Sequence, residues 1–172
     1  SGYTIQGAGS GYASDGYGFH LSGINNVTVK RTNIRGFYGG IYIYNSSYNT
    51  VSDNNITNNS YGIWVEQSSH NIMSGNHMAN NRPLGIYLND GGVYLLHSSY
   101  NTITGNDMTN HTTYGAVRLN TASYNTISQN DMRNSWYGAY LYSSYKNTIS
   151  GNIMTNSSVW LDESSNNTIS VS

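Results

Sequence analysis

Short alternating runs recur along most of the chain. Ile41-Tyr42-Ile43, Ile63-Trp64-Val65, Val93-Tyr94-Leu95, Val117-Arg118-Leu119, Ala139-Tyr140-Leu141 and Val159-Trp160-Leu161 each set two aliphatic residues around one that points the other way. A period of two predicts a strand with one face in a core and one in solvent. Single apolar positions recur in two further frames. Val29, Val51, Met73, Ile103, Ile127, Ile149 and Ile169 form one; Ile34, Ile56, Met78, Met108, Met132 and Met154 form the other. The pattern predicts three short strands per repeat that together send four columns of side chains inward, two of them from the alternating strand.

Asparagine punctuates the repeat. Asn49, Asn71, Asn101, Asn125, Asn147 and Asn167 are separated by 22, 30, 24, 22 and 20 residues. Five residues after the first member come Asn54, Asn76, Asn106, Asn130 and Asn152. Nine after it come Asn58, Asn80, Asn110, Asn134 and Asn156. Val27-Thr28-Val29 fits the same frame, and Gly2 to Leu21 reads as a degenerate first coil, with Phe19 lying 22 residues before Ile41. Asn tolerates left-handed backbone, and its amide can bond the main chain, so the three columns mark bends. A unit this small cannot bury its apolar face alone, whereas stacked units bury one continuous core. The predicted fold is all-β: a right-handed, single-stranded parallel β-helix of about seven 20–24-residue coils, forming one domain over residues 1–172. The 30-residue step requires an eight-residue insertion, placed at about 82–92, in which Ile86-Tyr87-Leu88 could add a strand.

Composition narrows the function classes. Charged residues make up 9% of the chain and the formal net charge is -1, against about a quarter charged in an ordinary domain. No basic stripe for nucleic acid is present, and no apolar run approaches the roughly 20 residues of a membrane span. With no Cys, disulfides and thiolate metal sites are excluded.

Units such as Asn101-Thr102-Ile103-Thr104-Gly105-Asn106, followed by Tyr114-Gly115, resemble the repeats of the NosD-like right-handed parallel β-helix family, of the archaeal cell-surface type. The resemblance covers nearly the whole chain. It implies the fold and an extracellular or cell-surface location. Function stays open, because proteins of this fold include polysaccharide lyases, carbohydrate-binding modules, surface-layer proteins and a copper-site maturation factor.

Candidate chemistry is sparse. The Met residues occupy core columns that Ile or Val fills in other coils, and the His residues (His20, His70, His77, His97, His111) share no close-spaced ligand pair, so neither metal nor cofactor is expected. His77, Asp107 and Asp131 share an outward position in consecutive coils, with Arg133 two residues on. Resemblance to pectate-lyase-like enzymes would give Asp107 and Asp131 a calcium role and Arg133 that of the base, but two carboxylates are few for a cation that takes about 6–8 oxygens. Aromatic residues are richer. Tyr42, Trp64, Tyr94, Arg118, Tyr140 and Trp160 form one expected outward column, extended by Tyr44 and Tyr142 and preceded by Tyr38, Tyr61, Tyr114 and Tyr137. Tyr48, His70, Tyr100, Tyr124 and Tyr145 form a second. Such stripes either stack on sugars, pack against another subunit, or merely suit strands. Among the Asn-x-Ser/Thr sequons, Asn26, Asn45, Asn55 and Asn166 are expected on the surface, whereas Asn58, Asn110 and Asn156 fall in a column expected to face inward.

Solenoids normally carry polar caps, and no capping helix is evident. Open ends and aromatic faces together predict self-association, as a homo-oligomer or filament. The sequence therefore predicts a non-catalytic extracellular structural protein in a filament, surface layer or adhesive structure. The alternative is a carbohydrate-binding or polysaccharide-lyase-like module.

Overall fold

The computed structural model describes residues 3–9, 16–81, 91–111 and 115–171. Every strand pairing is parallel, and three sheets run along the axis of a β-helix. The first sheet is short, joining Tyr3–Gln6, Thr32–Arg35 and Asn55–Ile56. Single bridges carry its line on through Asn55, His77, Asp107, Asp131 and Ile153. The second sheet holds seven strands, from Tyr17–Ser22 to Ser158–Asp162. The third also holds seven, from Thr28–Lys30 to Thr168–Val171. Seven strands leave six coil-to-coil steps, so the solenoid makes about six turns, slightly fewer than the repeat count suggests.

The inward columns occupy the core. Ile34, Ile41, Ile43, Val51, Ile63, Val93, Leu95, Ile103, Leu119, Ile127 and Ile149 are fully buried, together with Met73, Met78, Met108 and Met132. Leu161 and Ile169, which no described coil covers, remain exposed. The column of Gly18, Gly40, Gly62, Gly92 and Gly138 lets neighbouring coils close up: a Cβ on Gly40 would lie 2.3 Å from Ile56 Cγ2 and 2.6 Å from Gly62 O.

Most bends follow one pattern: an outward residue with positive φ is followed by a buried polar residue. Asn45 precedes Ser46, Tyr48 precedes Asn49, Asp53 precedes Asn54 and Asn58 precedes Asn59, with φ of 46°, 59°, 54° and 57° at the four outward members. The buried member hooks the adjacent coil. Asn49 Oδ1 accepts from Val27 N, and Asn49 Nδ2 donates to Asn71 Oδ1. The same link runs through Asn71, Asn101, Asn125 and Asn147 to Asn167, and a second ladder joins Asn54, Asn76, Asn106, Asn130 and Asn152.

Three expectations need correction. The third Asn column does not face inward. Asn58, Asn80, Asn110, Asn134 and Asn156 all have left-handed backbone, which swings their side chains out. The inward place falls one residue later, at Asn59, Asn81, His111, Ser135 and Ser157. Asn58 and Asn156 are thus exposed, like the sequon residues Asn26, Asn45, Asn55 and Asn166. The insertion stops before Gly91 and Gly92, which open a strand of the second sheet; residues 82–90, with Ile86-Tyr87-Leu88, lie outside the described residues. Finally, the second aromatic column continues through Lys146 rather than Tyr145, because Lys146 is the residue with positive φ before Asn147.

Candidate functional site

The outward face of the first sheet is built from polar side chains two residues apart. Asn33 pairs in register with Thr4 and Asn55, and Arg35 with Gln6. Asn33 Nδ2 donates to Thr4 Oγ1 at 3.3 Å, and Asn55 Nδ2 to Asn33 Oδ1 at 3.2 Å. The bridge line then brings His77, Asp107 and Asp131 into the same column, with Arg133 two residues beyond Asp131 and so on the same face.

The column is internally paired. His77 Nδ1 lies 2.7 Å from Asp107 Oδ2. Arg133 Nη2 donates to Asp131 Oδ2 at 2.6 Å, and its Nε donates to both carboxylate oxygens. Hydrogen bonding from Arg133 holds the Asp131 carboxyl below the usual carboxylate range, and Asp131 in turn raises the Arg133 guanidinium. The guanidinium that pectate-lyase resemblance would make the base thus lies in an ion pair with Asp131. Asp107 and Asp131 share the column but each has its own partner, His77 and Arg133 respectively. Among the described residues no group of three His, Asp or Glu side chains is placed to hold a metal ion.

At its other end this face opens into two adjoining cavities of about 710 and 280 Å³. Arg35 and Asn58 line both. Gln6 and Asn80 line the larger, and Asn33 and Asn55 the smaller. Arg35 Nε and Nη2 both donate to Gln6 Oε1, at 3.1 and 2.9 Å.

One aromatic column lies on the second sheet and the other at the bends that lead into the third. Rings of Tyr48, His70, Tyr100 and Tyr124 stack with centroids 4.9, 5.4 and 4.9 Å apart and planes within 18°. Lys146 Nζ closes the stack 5.2 Å from the Tyr124 centroid and donates to its hydroxyl. His20, Tyr42, Trp64 and Tyr94 form the half-exposed column of the second sheet, and Arg118 sits between Tyr94 and Tyr140. Trp160 pairs in register with Tyr140, while Tyr44 and Tyr142 stand one outward position further along their strands. Tyr61 is buried as the first residue of its strand, Tyr38 stacks edge-on to it, and Tyr114 lies outside the described residues. Burial pushes the Tyr42 and Tyr61 hydroxyls well above their ordinary value; at Tyr42 a 2.8 Å bond to Glu66 adds to this. In the Tyr48 column the rings cover one another's faces, whereas in the second-sheet column Tyr42–Trp64 and Trp64–Tyr94 are tilted by 47° and 33°.

The chain belongs to the right-handed β-helix family. The family described as "Right handed beta helix region" matches residues 2–92, and that described as "Periplasmic copper-binding protein (NosD)" matches residues 85–171. Among solved structures, DFA-IIIase from Arthrobacter chlorophenolicus A6 in complex with GF2 superposes with a TM-score of 0.67 at 13% identity, over 90% of this chain and 50% of that one. This chain thus spans about half the length of that enzyme. The mannuronan C-5 epimerase AlgE6 A-module of Azotobacter vinelandii aligns over 80% of this chain and 45% of that one, at 14% identity and a TM-score of 0.41. No curated protein sequence matches the chain. Copper, named in the NosD description, does not fit the described residues. Four of the five Met side chains are fully buried in the apolar core, and the His residues lie on different columns or, like His111, inside a bend. Among the described residues no helix is long and apolar enough to cross a membrane.

Proposed function

We propose that this chain is a non-catalytic glycan-binding β-helix module that acts outside the cell. One observation carries the reading: the polar face of the first sheet, whose amide, hydroxyl and guanidinium groups lead into the two cavities at Arg35. A sugar hydroxyl both donates and accepts, and side-chain amides answer both roles. The larger cavity has the volume of an ordinary small-ligand site. The shared fold with DFA-IIIase, a carbohydrate-active enzyme, supports the choice of ligand. Binding is favoured over catalysis because general acid–base work needs a carboxyl group free to exchange its proton. The face offers Asp107, 2.7 Å from His77 Nδ1, and Asp131, which is paired with Arg133. The NosD family's periplasmic description and the exposed sequons support a place outside the cytoplasm.

A glycan microarray probed with the labelled protein, followed by calorimetry on the hits, tests the reading. Saturable binding that weakens in Arg35→Ala is expected. If no glycan binds at millimolar concentration, the proposal fails.

A second reading, self-association, has its own support. Trp136 and Trp160 are 67% and 51% exposed, and Tyr137 contacts both rings. An exposed aromatic patch of this kind suits a subunit contact in a filament or surface layer. Sedimentation that shows a concentration-dependent oligomer, lost in Trp136→Ser, would favour it. A monomer at all concentrations would remove it.

A further inference from the structure

The cavity at Arg35 carries a charge that no described residue cancels. Arg133 and Arg35 make the same kind of contact through the same two nitrogens, Nε and Nη2. Arg133 lays them on a carboxylate, and its charge is neutralised. Arg35 lays them on Gln6, a neutral amide, and keeps its charge. Among the described residues Arg35 has no Asp or Glu within ion-pair distance, whereas Arg133 has Asp131. Among the described residues, no Asp or Glu lines either cavity.

The contact also fixes direction. A guanidinium holds five N–H groups in a planar fork. Gln6 takes one edge, through Nε and Nη2. The end edge, formed by Nη1 and the second hydrogen of Nη2, has no partner among the described residues, and the two bonds to Gln6 hold it in place. Two parallel N–H groups on a fixed cation match a carboxylate in a bidentate pair. Asn58 and Asn80, on the cavity wall, supply donors and acceptors for the hydroxyls beside such a carboxylate.

We propose that the Arg35 cavity recognises a carboxylate carried on a sugar, so that the ligand class is an acidic, uronate-containing glycan. This rests on the glycan-binding reading above and specifies it.

Calorimetry with the full chain would compare three probes: a uronic-acid oligosaccharide, its neutral counterpart of equal length, and free acetate. The acidic oligosaccharide should bind tightest, and added salt should weaken it. Arg35→Gln should weaken it by about tenfold or more, since a charge-assisted pair is lost. Arg35→Lys should recover little, because an ammonium is a point charge without the fork. Gln6→Ala should give an intermediate loss by freeing the guanidinium. Arg35 is exposed, so these variants should keep the wild-type circular dichroism. Equal binding of acidic and neutral oligosaccharides, or binding retained in Arg35→Gln, overturns this inference while glycan binding stands. Acetate binding as tight as the acidic oligosaccharide makes the cavity a simple anion site and overturns the glycan assignment. Binding of none of the three probes overturns the inference, and the glycan-binding reading itself then falls if the neutral and acidic arrays are also blank.

Discussion

Asn101 donates a side-chain hydrogen to Oδ1 of Asn125, 3.3 Å away and one coil further along the axis, and its backbone N donates to the same oxygen at 2.9 Å. Both residues are buried. Each coil therefore depends on the next to satisfy main-chain and side-chain donors that water cannot reach. Asn125→Ala strands the Asn101 backbone N–H and removes the donor to Ser98 O and Asn147 Oδ1. We expect it to destabilise the protein by about 2–4 kcal/mol, as buried unsatisfied groups do. Asn110→Gly, at a bend with φ of 65°, should stay within about 0.5 kcal/mol, because glycine accepts that backbone freely. Urea unfolding followed by circular dichroism measures both.

The glycine column makes a steric prediction. Gly40→Ala places a methyl against Ile56 Cγ2 and the Gly62 carbonyl, the latter being backbone. The coils must part to admit it. A loss of about 1–3 kcal/mol is expected, as for other overpacked cores, and thermal unfolding would detect it.

Alkaline pH should meet resistance from two tyrosines. The hydroxyls of Tyr42 and Tyr61 are raised above their ordinary 10.0, chiefly by burial. The folded state therefore prefers their neutral forms. Their contribution to stability is complete below pH 10 and is lost as pH rises beyond it. A spectrophotometric titration near 295 nm should show exposed tyrosines ionising first and a late fraction that ionises only as the fold opens. Tyr42→Phe should diminish that fraction.

Acid acts through the opposite sign. The Asp131 carboxyl is lowered by Arg133, so its stabilising effect is present above the ordinary carboxylate range and fades as pH falls through the lowered value. Asp131→Asn should shift acid unfolding little, because the pair is largely exposed and solvent screens it. A large shift would show that the pair anchors the coil.

Copper supplies a further check. Met108 is fully buried among apolar side chains. Met108→Leu should cost less than about 1.5 kcal/mol, as volume-conserving swaps do. Neither Cu(I) nor Cu(II) should raise the melting temperature of the wild type. A rise abolished in Met108→Leu would contradict the packing account.

How far the sequence reached differed between core and corner. The core columns were legible because aliphatic residues alternate with a period of two and recur once per coil, so that Val51, Met73 and Ile103 stack as their spacing implies. The bends were harder. Asn58 and Asn59 are adjacent and identical, and only backbone handedness decides which one faces inward. The same ambiguity misassigned Tyr145 for Lys146. The column of His77, Asp107 and Asp131 was visible from spacing alone, yet its ion pairs were not, because they depend on rotamers. The contact between Arg35 and Gln6 spans 29 residues across the degenerate first coil, where the repeat gives no register, and so the cavity had no signal in the sequence.

The central claim is that the face leading to Arg35 is where this solenoid meets its ligand. Backbone-resolved NMR of the labelled protein, titrated with the tightest-binding glycan, tests it most directly. The account predicts shifts concentrated at Gln6, Arg35, Asn55, Asn58 and Asn80, with the stacked corner of Tyr48, Tyr100 and Tyr124 unmoved. Shifts confined to that aromatic corner, or to Trp136 and Trp160, would contradict it.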